Sequence, residues 1–582
     1  MKIKSLLIGM LACTALVGCS NEDEPVVNNG NQDKGGDAYV TVKLSMSGNA
    51  ASRASFADNK FAEADPSEVK VTKATFYFLD ENGQGCADKF TLENVSALNQ
   101  WTDGTDNTNV DMESKAVVVI KNPITTPKSM VAILNVADPF GTNKRPSLAQ
   151  IQAQLVEMSA ANNATDGFIM TNSVFVDGSN VVVGAPIEAI NIHKGNKELG
   201  VQDADANPVV IPVERVVAKV GMSLPTTGST FDPNEGSQKY DINVSIDGWW
   251  LTNTSDKSYL VKNLATTYTT SPFDVNSSSK NWWTDAAKHR SYWATMPTTT
   301  YTNNGTWAAA SATDAKLYCL ENTDQAEANR TQYVAKATLK IKKEGANAYT
   351  AQTFVRWLNE IYTDYDFFQY IANAYNNYVI VSGTLNATEA IVYDLNGKVL
   401  VGAEGTPALT TSIFDWAINT VKTSIEGVEN YEGQVVVKTP ATGLTLAKVA
   451  TAADGKKTYT TVEASKIQSD IRARINKVLL WLNGQTYYYT DIIHNASAED
   501  LLEAESEGEE TTGATIPLYG IIRNHLYNLS ITGVQGMGTP APNANLPIDP
   551  ETPADDEYSH ISAQIQILGY KVVPTQNVIL GQ

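Results

Sequence analysis

The sequence HISAQIQILGYKVV, residues 560–573, alternates apolar and polar side chains as a β-strand with one buried face does. Alternate positions form its apolar face: Ile561, Ala563, Ile565, Ile567 and Gly569. Pro574 is expected to end this strand. Residues 538–559 before it are rich in proline and acidic residues, a composition that favours an extended linker. A lone strand on such a linker is expected to pair with another sheet, and we treat it as a donor strand in a mainly β protein.

A second strand with the same pattern lies near the N-terminus. Its apolar positions alternate with Thr41, Lys43 and Ser45: Val40, Val42, Leu44 and Met46. Because the two strands agree in length and apolar content, the same groove can accept either of them. We therefore predict that the N-terminal strand is removable.

The loop after the N-terminal strand is a candidate site of proteolytic processing. Residues 48–55 are mostly small and show no apolar periodicity, which is typical of an exposed loop that proteases cut. Arg53 is the first arginine of the chain, so a trypsin-like protease is predicted to cut between Arg53 and Ala54. The alternative is that Arg53 is simply a solvated loop residue.

Removal of residues 40–46 would uncover a sheet edge and an apolar cleft, a surface that favours pairing with another chain. Four apolar side chains contribute at most about 6 to 12 kcal/mol when they are buried. A donor and a groove at different ends of one subunit make a contact that does not close on itself. Strand exchange of this kind is therefore expected to produce a filament.

The N-terminus resembles a bacterial lipoprotein signal. Lys2 and Lys4 precede an apolar run at residues 6–17, and Leu16-Val17-Gly18-Cys19 has the pattern of a lipobox. Cys19 would then be the lipidated first residue, carrying palmitate, and the signal would occupy residues 1–19. An ordinary secretory leader is the alternative. No other stretch is long and apolar enough to span a bilayer.

Composition narrows the class of protein. With 582 residues, two large domains are expected. A net charge of −21 argues against binding nucleic acid or an anionic membrane, both of which need a basic face. Beyond the leader the sequence has only Cys86 and Cys319, and two buried thiols are favoured over one disulfide.

The body of the chain is predicted to be mainly β with a few helices. Strands are expected at residues 69–79, 116–120, 130–136 and 242–246, and helices at residues 146–157, 353–378 and 412–425. A new series of strands begins near Val209, where we place the boundary between the domains. Aromatic residues are dense in the second half, and a core role is favoured over a glycan-binding platform.

The common motifs of catalysis are missing from the sequence. It has no HExxH, no Walker phosphate loop, no GxSxG and no CxxC, and its five histidines are widely spread. Asp80–Gly83 and Asp394–Gly397 are best interpreted as hairpin turns, not calcium loops. We therefore predict no enzyme activity, no catalytic residues, no metal and no cofactor.

Several segments together resemble the Bacteroidales fimbrillin family, the Mfa-type and FimA-type major subunits of type V pili. They follow in order along the chain: VERVVAKV at 213–220, WLTNT at 250–254, YLVK at 259–262, YCLEN at 318–322, YGIIRNHLYNLSITG at 519–533 and GMGTP at 536–540. The chain departs from the family in an acidic insert at residues 496–512, which is expected to lengthen a surface loop.

The resemblance implies two transthyretin-like β-sandwich domains, at residues 54–208 and 209–537, between exchangeable terminal strands. It also implies a lipoprotein precursor on the outer membrane, cut after Arg53 and polymerised by donor-strand exchange into a fimbrium that supports adhesion and biofilm formation. The expected partners are neighbouring subunits, anchor and tip subunits, the processing protease and a surface ligand. A fimbrial tip subunit and a surface glycan-binding lipoprotein remain alternatives.

Overall fold

The computed structural model gives the arrangement of most of the chain. It describes residues 38–46, 65, 67–93, 102–103, 112–163, 167–178, 180–194, 207–224, 230–233, 236–237, 239–264, 284–285, 289–291, 293–302, 308–309, 316–326, 329–358, 360–422, 429–476, 478–494, 519–540, 560–567 and 573–578. These residues are mainly β, as the sequence predicts.

The first sheet contains ten strands of the described residues. In spatial order its main path is β3 (Phe90–Glu93), β2 (Lys73–Leu79), β6 (Ser129–Leu134), β10 (Met170–Asn172), β15 (Val209–Arg215), β1 (Ala38–Met46), β5 (Met112–Ile120) and β4 (Thr102–Asp103). Two short strands join its sides: β13 (Ala185–Pro186) on β6 and β14 (His193–Lys194) on β1.

Both faces of the first sheet are covered along β2. Phe76 and Phe78 are buried in the cluster that also holds Val40 and Val42, while Tyr77 packs in a second cluster on the other side. Alternate residues of a strand point to opposite faces, so an almost continuous apolar run such as Ala74–Leu79 indicates burial on both sides. The second cluster extends to Val216 and Val217, where the chain leaves this sheet.

Two further sheets pack face to face around the largest core. The second sheet has the order β26 (Lys316–Leu320), β16 (Val217–Ser223), β39 (Leu526–Gln535), β41 (His560–Ile567) and β42 (Val573–Val578). The third follows β17 (Thr230–Phe231), β19 (Tyr240–Thr252), β27 (Gln332–Lys343), β38 (Gln485–Asp491) and β40 (Thr539–Pro540), with β18 (Gly236–Ser237) and β25 (Ala308–Ala309) on β19. Alternate residues of both sheets, such as Leu529 and Leu339, meet in this core.

An inserted module, residues 344–484, separates two strands that are neighbours in the third sheet, because β27 and β38 pair directly from Gln332↔Asp491 to Thr338↔Gln485. Its strands are β28 (Phe354–Trp357), β29 (Glu360–Thr363), β30 (Tyr378–Ser382), β31 (Ile391–Tyr393), β32 (Val399–Val401), β33 (Phe414–Lys422), β34 (Glu429–Val437), β35 (Leu444–Thr451), β36 (Lys457–Thr461) and β37 (Leu479–Trp481). The module has an apolar core of its own around Phe367, Ile380 and Ile467.

Helices and short ladders complete the described structure. The α-helices are α1 (Leu148–Gln152), α2 (Met158–Ala161), α3 (Asp364–Ala374) and α4 (Ala464–Arg472), and 3-10 turns lie at Ala189–Asn191 and Leu482–Gly484. The short antiparallel pairs are β7 (Leu155–Glu157) with β21 (Lys257–Tyr259), β8 (Asn162–Asn163) with β9 (Gly167–Phe168), β11 (Phe175–Asp177) with β12 (Asn180–Val182), β20 (Thr254–Ser255) with β24 (Tyr301–Thr302) and β22 (Thr284–Asp285) with β23 (Arg290–Ser291). No described helix has the length and hydropathy that a membrane span requires.

Some predicted elements differ from the structure. The helix expected at residues 412–425 is wrong, since Phe414–Lys422 is a strand paired with β34. The helix expected at 353–378 is confined to α3, where the Thr363 side chain caps the first turn by accepting from the Asp366 N–H. The helix expected at 146–157 is likewise short and ends at Gln152. Short apolar runs do not distinguish a helix from a strand, which explains these differences.

The strand that follows the predicted domain boundary at Val209 belongs to the first sheet. Val209–Arg215 was expected to begin the second domain, but it lies inside the first sheet, where it pairs with β1 and β10. The chain enters the second sheet after Val216. Both Cys86 and Cys319 are buried free thiols, as predicted, and burial raises the pKa of Cys86 to about 11 and that of Cys319 to about 12.

Replacement of Gly484 by alanine is expected to destabilise the point where the inserted module rejoins β38. Gly484 has a φ of +74°, and a Cβ there would lie 2.0 Å from the carbonyl oxygen of Leu339. Left-handed backbone and the steric clash together should cost about 3 kcal/mol or more. Gly455→Ala is the matched control, because φ is +82° there and nothing lies within 4 Å. It should cost about 1 kcal/mol. Thermal unfolding, monitored by near-UV circular dichroism, measures the stability of both variants. Equal unfolding temperatures for the two variants would contradict this account.

Candidate assembly sites

The N-terminal strand is an inner strand of the first sheet. β1 pairs antiparallel with β5 from Ala38↔Ile120 to Met46↔Met112, and parallel with β15 from Val42↔Val209 to Met46↔Val213. Ala38, Val40 and Val42 are 4%, 0% and 0% exposed. The space that β1 fills between β5 and β15 is called the β1 groove below. Without β1, both of its walls would present unpaired backbone N–H and C=O groups.

The remaining predicted residues of this strand occupy the same ladders. Leu44 is paired with Ser114 of β5 and Ile211 of β15, and Met46 with Met112 and Val213. The predicted removable strand, Val40, Val42, Leu44 and Met46, is therefore a single strand hydrogen-bonded on both sides. The predicted processing site, Arg53 and Ala54, lies outside the described residues, as does the predicted lipidation site at Cys19.

The C-terminal strand pairs with the second sheet of its own chain. β41 runs antiparallel to β39 from Tyr527↔Ile567 to Gln535↔His560, with a bulge between Ile531 and Gly533. The predicted donor positions match buried residues of β39 in this register: Ile561 with Val534, Ala563 with Ile531, Ile565 with Leu529 and Ile567 with Tyr527. The sequence left the position of this tail open, and its pairing with β39 is a new finding.

The C-terminal tail forms two short strands instead of the single strand predicted. The expected single strand at 560–573 ends at Ile567, and a second strand, β42, begins at Val573 and contains Pro574. Pro574 therefore does not end the strand series. β42 lies at the edge of the sheet, where a residue without a backbone N–H is tolerated. Gly569 and most of the proline-rich linker, residues 541–559, lie outside the described residues, as does the acidic insert at 496–512.

A buried polar junction joins the first and second sheets, and four segments that are distant in the sequence meet there. They are residues 214–219, 258–262, 321–322 and 521–525. The backbones are linked as well, since the Asn524 N–H donates to the carbonyl of Val217 at 2.7 Å and the Lys219 N–H to the carbonyl of His525 at 2.8 Å. Four of the segments quoted for the family resemblance, at 213–220, 259–262, 318–322 and 519–533, thus meet at one place. Each segment is recognisable in the sequence, but no local pattern indicates that these segments contact one another.

Two buried ion pairs hold this junction. The Lys262 Nζ lies 2.8 Å from the Glu214 Oε2 and also donates to the carbonyl of Ser291. Arg523, which is 0% exposed, pairs with Glu321 and donates to the carbonyl of Leu260 at 3.0 Å and to the Ser258 Oγ at 2.9 Å. These four charged side chains are at most 6% exposed.

Burial sets the protonation of these groups. It raises the pKa of Glu214, which the nearby Lys262 and Arg523 partly offset, and it lowers the pKa of Lys262. Burial also disfavours the charge of Arg523, but the Glu321 carboxylate outweighs it and raises the pKa of that guanidinium. Because both partners of the Glu321–Arg523 pair are desolvated, loss of either one carries a large cost in stability.

A pair of neutral histidines packs beside the ion pairs. The Ile522 N–H donates to the Tyr527 hydroxyl at 2.8 Å, and that hydroxyl lies 2.8 Å from the His494 Nδ1. With its oxygen already accepting, the hydroxyl donates to an unprotonated Nδ1. Burial lowers the pKa of His494 to about 3, and burial together with the neighbouring His494 lowers the pKa of His525 well below its ordinary value.

The aromatic residues of the second half are mostly core. Trp249 stacks on Tyr333 with 5.3 Å between ring centroids, and Phe367 packs with Trp416 in the inserted module. Trp293 is buried, whereas Trp282, Trp283 and Trp307 lie outside the described residues. Among the described side chains, no group of three or more His, Cys, Asp or Glu is placed to hold a metal ion.

Comparison with protein families gives one match, and it covers the region that contains β38, β39, β41 and the first residues of β42. Residues 480–574 match the C-terminal region of fimbrillin, described as major fimbrial subunit protein type IV. The C-terminal region of the chain is thus similar to that of fimbrillins. The resemblance inferred from the sequence is confirmed, and the match supports a fimbrial subunit at the cell surface.

Solved structures give weaker likenesses. A candidate cell adhesion protein from Parabacteroides distasonis aligns with 92% of this chain and 98% of its own, at 13% identity and a TM-score of 0.35. A fimbrial assembly protein from the same species aligns with 73% of this chain and 100% of its own, at 10% identity and a TM-score of 0.27. The tip fimbrial protein Mfa3 from Porphyromonas gingivalis aligns with 69% and 100%, at 11% identity and a TM-score of 0.24. No curated protein sequence matches.

Replacing Arg523 by methionine is expected to cost about 3 to 5 kcal/mol of stability, because it leaves Glu321 buried without its partner. The double variant E321Q/R523M should recover part of this loss, since it removes the stranded charge. K438M is the control, because Lys438 and Asp415 form an exposed pair at 3.4 Å, worth about 0 to 1 kcal/mol. Denaturant unfolding measures all three, and equal losses for R523M and K438M would contradict the assignment.

Acid is expected to weaken the junction through its histidines. Their pKa values are lower in the folded chain than the ordinary value of 6.5, so the unfolded chain binds more protons below that pH. Stability should therefore fall as the pH drops from about 6.5 towards 3, by up to about 1.4 kcal/mol per pH unit for each histidine. H494Q should flatten the dependence of melting temperature on pH in that window, and an unchanged dependence would contradict this account.

Proposed function

We propose that this protein is a subunit of a fimbrial shaft that is made as a lipoprotein precursor, cut after Arg53 and assembled by strand exchange. Lipidation at Cys19 would hold the precursor on the outer membrane until a trypsin-like protease separates the anchor and β1 from the rest. Anchor and tip subunits would be its other partners, and the filament would support adhesion and biofilm formation.

The observation that carries the proposal is the inner position of β1. A strand that is paired on both sides and lies in the apolar core leaves two open ladders when it departs. Only the connection through residues 47–64 ties β1 to the next described residue, so one cut in that stretch separates the strand from the domain it completes. Removal of β1 then leaves a gap between β5 and β15 that can accept another strand.

The tail of a neighbouring subunit is the proposed replacement. β41 has its apolar residues at alternate positions, like β1, and we assign Ile561, Ala563, Ile565 and Ile567 to the positions of Val40, Val42, Leu44 and Met46. In its own chain β41 pairs with β39 and with β42, its companion in the tail. If β41 and β42 leave together, one ladder to the body is lost. Insertion of β41 into the β1 groove forms two ladders, one with β5 and one with β15. This gain in hydrogen bonds favours exchange.

The resulting contact is open-ended. The acceptor groove lies in the first sheet, whereas the donor starts from the second sheet and is joined to the body through residues 541–559. Each subunit can therefore give its tail to one neighbour while it accepts the tail of another. This arrangement adds subunits in one direction, as a filament requires.

Two complementary variants test the exchange. R53A keeps β1 in place and should donate its tail but accept none. A processed chain from which residues 558–582 have been deleted should accept the tail of another chain but has no tail to donate. Each alone should stay monomeric under an arginine-specific protease, and the mixture should give one heterodimer without a ladder.

The parent protein and K60A, a change at a lysine in the same stretch, should both form ladders of multimers under that protease. Size-exclusion chromatography with denaturing gels of unheated samples measures the products. A ladder from R53A, or no heterodimer from the mixture, would rule out the proposed exchange.

A further inference from the structure

The first described residues after the processing loop are fastened to the second sheet by a buried carboxylate. Glu68 is 1% exposed. Its Oε2 accepts from the Lys219 Nζ at 2.9 Å and from the Asp65 N–H at 2.6 Å, and its Oε1 accepts from the Tyr318 hydroxyl at 2.9 Å. Lys219 belongs to β16 and Tyr318 to β26. The start of the body is thus attached to two strands of another sheet.

The same segment is attached to a wall of the β1 groove. The Arg215 Nε donates to the carbonyl of Glu68 at 2.8 Å, and Arg215 is the last residue of β15. Farther along, the Asn135 side chain donates to the carbonyl of Lys70 and accepts from the Thr72 N–H, at 2.7 and 2.8 Å. Residues 67–72 form no strand and depend on such side-chain contacts.

Loss of β1 acts directly on this segment. Val69 and Val71 are 6% and 0% exposed in the same cluster that Val40 and Val42 help to fill. When β1 leaves, the cluster that contains Val69 and Val71 loses Val40 and Val42, and the cut removes the chain's attachment on the N-terminal side. The segment that would fray next is therefore the one that Glu68 fastens.

We propose that Glu68 is a positioning residue for assembly: it holds the start of the processed chain on β16, β26 and Arg215, so that cleavage releases β1 without loosening the wall of the groove. The inference rests on the proposed processing at Arg53. It predicts that Glu68 matters far more after the cut than before it, because β1 holds the same core closed in the precursor.

Hydrogen exchange on the full chain tests this prediction. In the processed protein, E68A should speed exchange of the amides at residues 67–72 by about tenfold or more, and in the precursor by less than about threefold. E68Q, which keeps an acceptor oxygen, should restore part of the protection. D65N is the matched control, because Asp65 contacts the same Lys219 through a carboxylate that is 60% exposed, and it should change neither state.

The cut can be made independently of Arg53 by replacing residues 49–55 with the recognition sequence of a sequence-specific protease. A failure of natural processing is then measured separately from a failure of Glu68 to hold the segment. If E68A accelerated amide exchange equally in the precursor and the processed chain, Glu68 would be a general structural residue and the proposal would be overturned. Unchanged exchange in processed E68A would overturn it as well. If E68A does not fold, E68Q and K219A carry the same comparison.

Discussion

The pairing of β1 between β5 and β15 is the constraint on which the rest of the first sheet depends. An inner strand satisfies the backbone groups of two neighbours and, in this sheet, also fills the core with Val40 and Val42. No single side chain replaces such a contribution, since buried N–H and C=O groups need partners along their whole length. Only a second strand of matching pattern would satisfy both ladders, as the proposed exchange requires.

The junction between the sheets performs a different task. β15 and β16 are separated only by Val216, so one continuous stretch of backbone forms a wall of the β1 groove and then supports β39, on which the tail rests. Glu214, Lys262, Glu321 and Arg523 fix this stretch with buried charges that tolerate few alternative geometries. Buried ion pairs of this kind contribute more to a defined arrangement than to stability. The β1 groove and the strand that carries the tail are thus parts of one connected framework.

The inserted module separates, along the sequence, two strands that pair in the third sheet. Because β27 and β38 are adjacent in space but 141 residues of other structure intervene at positions 344–484, the hairpin leaves no local signal in the sequence. Within the module, Phe414–Lys422 was predicted to be helical from its apolar spacing. Pairing with Glu429–Val437 overrides that spacing, since a strand gains its stability from its neighbour and not from its own propensity.

The sequence alone determined the local features: the mainly β character, the alternating pattern of both terminal strands and the family resemblance, and it favoured buried thiols at Cys86 and Cys319 over a disulfide. All of these depend on side-chain order over a few residues. Only the tertiary structure decided which strands flank β1, that the tail pairs with β39, that β15 belongs to the first sheet, and that Glu68 meets Lys219 and Tyr318. These contacts join residues far apart in the chain, and no local pattern specifies the partner of a strand edge or of a buried charge.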